Sequence, residues 1–170
     1  MKKARRSGSQ LAIWVACSLF AASLVWLATT AGDTVPAHFD GSGSVTRTDS
    51  TSSFLLSMGL TALALTALFA GARVLLPRLP GGAVNLPSRD AHAYWTAPEN
   101  RAEFDRRMSE DLEWIGAATL LLLTWFTLVS GTAEVAVSVW ALAVPTVAYI
   151  AALLGYAVYA VRGGRYRVPR

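Results

Sequence analysis

The residues best suited to chemistry lie in the stretch "TVPAHFDGSGSV", residues 34–45. His38, one of two histidines, is followed by Phe39 and Asp40, and Asp33 and Asp49 flank the stretch. An imidazole two residues from a carboxylate is compact enough to share a divalent cation, and a second carboxylate would complete a three-donor set. The simpler role is structural: a lone histidine in a short loop hydrogen-bonds a carbonyl or carboxylate and stabilises the turn, which Pro36, Gly41 and Gly43 already shape. Nucleophilic catalysis has less support, because no serine is set against His38 and a third orienting group.

A second concentration of distinctive side chains comprises Asn85, Pro87, Asp90, His92, Tyr94, Trp95, Pro98, Glu99 and Arg101. It has no metal-ligand spacing, phosphate-binding loop or glycine-rich nucleotide signature. Tyr94 and Trp95 suit a membrane–water boundary, or the docking of a cytoplasmic partner. Glu99 and Glu103 are acids favoured at a helix start by its dipole.

The elements that must position these residues are apolar. Of the 170 residues 54% are hydrophobic and only 15% charged, against about 25% charged in soluble domains. Four apolar segments stand out, at about residues 11–31, 54–76, 114–133 and 135–161. Each meets the roughly 20 residues a helix needs to cross a bilayer core. Each is apolar all round, as suits a helix facing lipid and other helices. The fold expected is an all-α integral membrane protein, a single domain over residues 1–170 with four transmembrane helices. The first segment is longer than a signal-peptide core, which favours a retained anchor. Cys17, the single cysteine, lies inside it as a buried, inert thiol.

Lysine and arginine set the orientation. Fourteen of the 15 fall in the N-terminal segment, the loop 77–113 with its margin, and the tail. Only Arg47 lies in the loop 32–53, and none in the turn after the third segment. Both termini are therefore expected in the cytoplasm of a cell-membrane protein, with loop 32–53 outside. The net charge of +4 then reports topology and a weak attraction to anionic lipid heads. A nucleic-acid role is excluded for want of a binding motif.

Loop 32–53 is rich in Gly, Ser and Thr and mildly acidic. In loop 77–113, Pro77, Pro80, Pro87 and Gly81–Gly82 forbid a continuous helix. Residues 97–112 read as an amphipathic helix, with Pro98 in its first turn and Phe104, Met108 and Leu112 on one face. It would lie in the interface before turning into the third span. Small residues recur at three- or four-residue spacing in two spans: Ala62, Thr66 and Ala70, and Ala148, Ala152 and Gly155. Pro145 frees a carbonyl that serine or threonine neighbours would satisfy.

The first motif resembles a bacterial membrane family named domain of unknown function 1648. Its members show (L/I)P-x-H-(F/W)-x-x-x-G just after a first transmembrane helix. Val35, Pro36, His38, Phe39 and Gly43 occupy those positions. The usual continuation, Pro-Asp-x-Trp-Gly-Ser-Lys, is replaced here by "VTRTDSTSSF". A second family block, N-x-P-x-(K/R)-x-Y-W-x-x-P-E-x-R, is matched by Asn85, Pro87, Arg89, Tyr94, Trp95, Pro98, Glu99 and Arg101, with an insertion around Asp90–Ala93. The resemblance implies little chemistry. Some relatives carry the domain beside an SdpI-type region that gives immunity to a secreted toxin and holds a repressor at the membrane. No such region is recognisable here, so immunity is an analogy.

No intramembrane ionisable residue offers itself for ion coupling. The function expected is non-enzymatic and cofactor-free. Loop 32–53, ordered around Pro36, His38, Phe39 and Gly43, would bind an extracellular peptide or toxin. The segment carrying Asn85, Pro87, Tyr94, Trp95, Pro98, Glu99 and Arg101 would contact a cytoplasmic or membrane protein. The alternatives are an accessory subunit of a membrane transporter and an enzyme with a metal at the outer loop.

Overall fold

The computed structural model describes residues 7–86, 88–162 and 164–168. Helix α1 (Gly8–Thr30) opens on Ser7, whose hydroxyl accepts from the Gln10 amide while the Gln10 side chain accepts from the Ser7 amide. This reciprocal cap satisfies donors that a first turn leaves free. Strands β1 (Thr34–Phe39) and β2 (Val45–Ser50) then form an antiparallel hairpin. Ser50 caps α2 (Thr51–Leu75) by accepting from the Ser53 amide. Two short 3-10 turns, Leu76–Arg78 and Gly81–Ala83, carry the proline- and glycine-rich stretch to α3 (Arg89–Thr96), which Ser88 caps. Pro98 starts α4 (Pro98–Thr132), and α5 (Val139–Arg162) follows.

Helices α1, α2, α4 and α5 are long and apolar enough to cross a membrane, and the chain is built as a multi-pass membrane protein. The hairpin joins α1 to α2 at one end of the bundle; α3 lies at the other. The central helix is α4, which packs against α1, α2, α3 and α5. Its 35 residues make a rod of about 52 Å, against roughly 30 Å of hydrocarbon core. Its N-terminal third therefore lies beyond any such core. The expected turn between the amphipathic stretch and the third span is absent, because α4 runs through without a break. No proline or glycine interrupts residues 99–115.

The core sits between α1, α2 and α4, where Ile13, Ala16, Ala117 and Leu120 are buried against Ala62, Phe69 and Ala70. Gly116 makes this approach possible: a Cβ there would lie 2.6 Å from the Phe69 Cβ. The expected small-residue row of α2 faces this core, and its Thr66 hydroxyl lies 3.3 Å from the half-buried Cys17 thiol. The small-residue row of α5, Ala148, Ala152 and Gly155, stays exposed, with nothing within 4 Å of a Cβ at Gly155. Indeed α5 has no fully buried residue.

Pro145 lies inside α5 and cannot donate to the Ala141 carbonyl. The partner that replaces it is the Trp125 indole, whose Nε1 donates to that carbonyl at 2.7 Å. This corrects the expected serine or threonine; Thr146 bonds its own turn instead.

Two further expectations are corrected. Loop 32–53 is largely a hairpin, so the described chain is not all-α. The fourth helix begins at Val139 rather than residue 135, because Val135 and Val137 bond to the hairpin with their backbones. Those bonds flank a bridge between Ser44 and Ala136, which keeps the linker out of the helix.

Candidate functional site

The hairpin owes its shape to two irregularities. Pairing runs Thr34 with Ser50, Val35 with Asp49 and Pro36 with Thr48, then His38 with Arg47 and Phe39 with Val45. Ala37 is thus the extra residue on β1 and Thr46 on β2. A regular strand alternates its side chains between faces; a bulge re-aims them. Ala37, His38 and Phe39 consequently line one cavity, three in succession. Val35 and Pro36 are buried, with Val35 packed on Leu27 and Phe54.

The turn is held by Asp40. Its carboxylate accepts from the Ser42 hydroxyl (2.6 Å), the Ser42 amide (2.8 Å) and the Ser44 amide (3.0 Å). These bonds, the Ser42 side chain first, hold its carboxyl below the ordinary range, so the exposed Asp40 carries a negative charge. Gly43 then adopts φ +88°, and a Cβ there would collide with the Val137 carbonyl oxygen. The closeness has a purpose: Val137 donates to the Gly43 carbonyl and Val45 to the Val135 carbonyl, each at 2.9 Å. The α4–α5 linker therefore closes against the hairpin and fixes it over the bundle end.

Beneath the hairpin lies a cavity of about 330 Å³. The hairpin contributes Ala37, His38 and Phe39, α2 contributes Phe54 and Met58, α4 contributes Leu123, Phe126 and Ser130, and α5 contributes Leu142. Ser130 is only 5% exposed, and its hydroxyl has no hydrogen-bond partner among the described residues. Thr127 and Thr132, by contrast, bond back to carbonyls of their own helix. His38 shares a 2.6 Å hydrogen bond with the Thr46 hydroxyl. Its partner is thus a hydroxyl rather than the expected carbonyl or carboxylate. Among the described residues, no group of three or more His, Cys, Asp or Glu converges as a metal site.

The α3 end places the second set of residues differently. Trp95 is 3% exposed, enclosed by Tyr94, Phe104 and Tyr166 with ring centroids 5.0, 6.3 and 6.2 Å away. Its indole donates to the Tyr166 carbonyl at 2.8 Å, and the Arg107 guanidinium sits 5.0 Å from its ring centroid. Trp95 is therefore covered by the chain's own C-terminal segment. Arg101 closes the end of α2, donating to the Leu76 (2.6 Å) and Leu79 (2.9 Å) carbonyls and pairing with Asp105 at 2.8 Å. Pro98 and Glu99 are exposed in the first turn of α4, Tyr94 is half-buried, and Asn85 is exposed. Pro87 lies outside the described residues.

Two polar clusters were not legible as sites in the sequence. In the first, Arg73 binds Glu113 through Nε (2.5 Å) and a terminal nitrogen (2.8 Å). Ser9 donates to the same carboxylate at 2.6 Å, and Arg73 donates to Ser7 at 2.7 Å. Three helices meet on Glu113, which is 2% exposed. In the second, Asp111 accepts from the Tyr166 phenol and from Arg165 at 2.8 Å. Burial, and then the bond to Asp111, push the Tyr166 phenol above its ordinary range. Burial opposes the Arg165 charge, but Asp111 outweighs it and its pKa is raised. The only sequence signals were single charges at the margins of apolar runs.

Comparison with protein-family models, with curated proteins and with solved structures finds no match for this chain.

Proposed function

We propose that the chain is a non-enzymatic protein of the cell membrane that acts by binding, as a sensor or an immunity-type protein, with the hairpin end outside and both termini in the cytoplasm. The orientation rests on the lysine and arginine bias, with Arg47 alone at the hairpin end. The observation that carries the function is the capped cavity, where signature residues His38 and Phe39 meet buried groups of α2 and α4. Pre-formed, mostly apolar hollows with one or two polar groups are what ligand sites look like. The resemblance to domain of unknown function 1648 accords with this, and an extracellular peptide or toxin is the ligand it suggests. At the other end, Asn85, Tyr94, Pro98 and Glu99 offer surface to a cytoplasmic or membrane partner. The bilayer is the remaining partner; nucleic acid and cofactors have no place.

Filling the cavity tests this. Cells expressing the chain or its Phe126→Trp variant are challenged with a panel of secreted membrane-active peptides. The native chain is expected to raise survival against at least one, and the variant to lose at least tenfold of that protection at equal protein level and melting temperature. Equal protection by both, or none by the native chain, contradicts the reading.

A second reading is an accessory subunit of a transporter. The bare faces of α5 favour it, together with the 390 Å³ groove between α4 and α5 lined by Trp125, Pro145 and Tyr149. It predicts a stoichiometric membrane partner on purification.

A further inference from the structure

We propose that the cavity under the hairpin binds a lipophilic organic cation, a primary ammonium carried on an apolar tail. This rests on the reading of the hairpin end as a ligand-binding face and names the chemistry of the ligand.

Three observations converge. First, Phe39, Phe54 and Phe126, from three different elements, line a single space. Aromatic faces attract a cation within about 6 Å, more strongly when water is excluded. Second, Ser130, a residue only 5% exposed, lies in the wall of that space. Its hydroxyl oxygen has lone pairs that an ammonium N–H would engage in a charge-assisted bond. Third, the cavity has no lysine or arginine in its wall, and the one imidazole there, His38, is engaged by the Thr46 hydroxyl. The segments around it carry Asp33, Asp40, Asp49 and Glu134 against Arg47, which is itself bound to Asp49 at 3.2 Å. An anion would meet repulsion at the mouth; a cation would be drawn in. The 330 Å³ volume is at the small-molecule end of binding sites, which suits a single aryl-alkyl ammonium group.

The probes are 4-phenylbutylammonium and its neutral counterpart 4-phenylbutan-1-ol. Each is titrated calorimetrically into the full chain in nanodiscs of zwitterionic lipid, with empty discs subtracted. The ammonium is expected to saturate with a Kd at least tenfold below that of the alcohol. Phe126→Leu keeps the bulk but removes the ring, and should weaken the ammonium about fivefold while moving the alcohol less than twofold. Ser130→Ala should weaken the ammonium about tenfold. Both variants are compared at unchanged melting temperature. Equal affinity for the two probes, or equal loss of both in Phe126→Leu, overturns the cation and leaves a purely apolar binding site. Saturation by neither probe also overturns it; loss of function in the survival assay, not these titrations, decides whether the chain binds a ligand at all.

Discussion

Replacing Gly43 with alanine is expected to detach the hairpin from the α4–α5 linker. The backbone there is at φ +88°, a conformation that costs a residue with a Cβ about 1–2 kcal/mol. The added carbon would also collide with the Val137 carbonyl, a backbone atom that cannot rotate away. Relief requires the linker to move, which breaks the Val137–Gly43 and Val45–Val135 hydrogen bonds, each worth about 1 kcal/mol. The expected total is about 3 kcal/mol in a reversible detergent or denaturant titration, with faster hydrogen exchange at the amides of Val45 and Val137. Gly41 supplies the control. It lies in the same turn, outside the positive-φ set, with nothing within 4 Å of its would-be Cβ. Gly41→Ala should change stability by less than about 0.5 kcal/mol. If the two substitutions cost the same, Gly43 does not hold the hairpin in place.

The second large effect is expected at the α3 end. Arg73→Leu strands the Glu113 carboxylate, which is 2% exposed and would retain only the Ser9 hydroxyl. Removing one partner of a buried pair costs about 3–5 kcal/mol. Arg73 is 27% exposed along its side chain, so the reverse change, Glu113→Leu, should cost less, about 1–2 kcal/mol after allowing for solvent screening. Replacing both with leucine removes the stranded charge and should recover most of the loss, since a well-packed apolar pair is often as stable as a buried ionic one. Thermal and denaturant unfolding of the three variants checks this. A double variant as unstable as Arg73→Leu would mean that the pair does more than neutralise a charge.

These two sites also show what the sequence could and could not convey. The four spans were legible because a bilayer core imposes about 20 apolar residues on any helix that crosses it, a demand that composition alone reveals. The hairpin was not. The β1 stretch "TVPAHF" contains a proline, and the β2 stretch "VTRTDS" is polar and mostly exposed. Neither shows the strict alternation that announces a half-buried strand. The hairpin is stabilised through the bundle, by Val35 against Leu27 and Phe54 and by backbone bonds to Val135 and Val137. Those two valines read as the start of a helix because apolar character does not say where a backbone will bond.

The first motif lies in the hairpin. His38 and Phe39 line the cavity, Pro36 is buried in β1, and Gly43 at the turn is the residue whose geometry could be argued in advance from its type. Phe126 and Ser130 were invisible because nothing marks which face of an all-apolar helix turns inward. The second motif divides. Trp95 and Arg101 are taken up by the chain itself, under Tyr166 and across the end of α2. Tyr166 lies seventy-one residues beyond Trp95, and Glu113 lies forty beyond Arg73. Such pairings depend on how helices stack, which no local spacing records.

The central claim is that a cavity beneath the hairpin opens to the outside. It is tested most directly by the reactivity of a thiol placed in its wall. In a Cys17→Ser background, Ser130→Cys is exposed on intact cells to a membrane-impermeant trimethylammonium methanethiosulfonate. The account predicts labelling from outside without permeabilisation, slowed at least tenfold when Phe126→Trp fills the cavity. Labelling that requires permeabilised cells, or that is indifferent to Phe126→Trp, would contradict it.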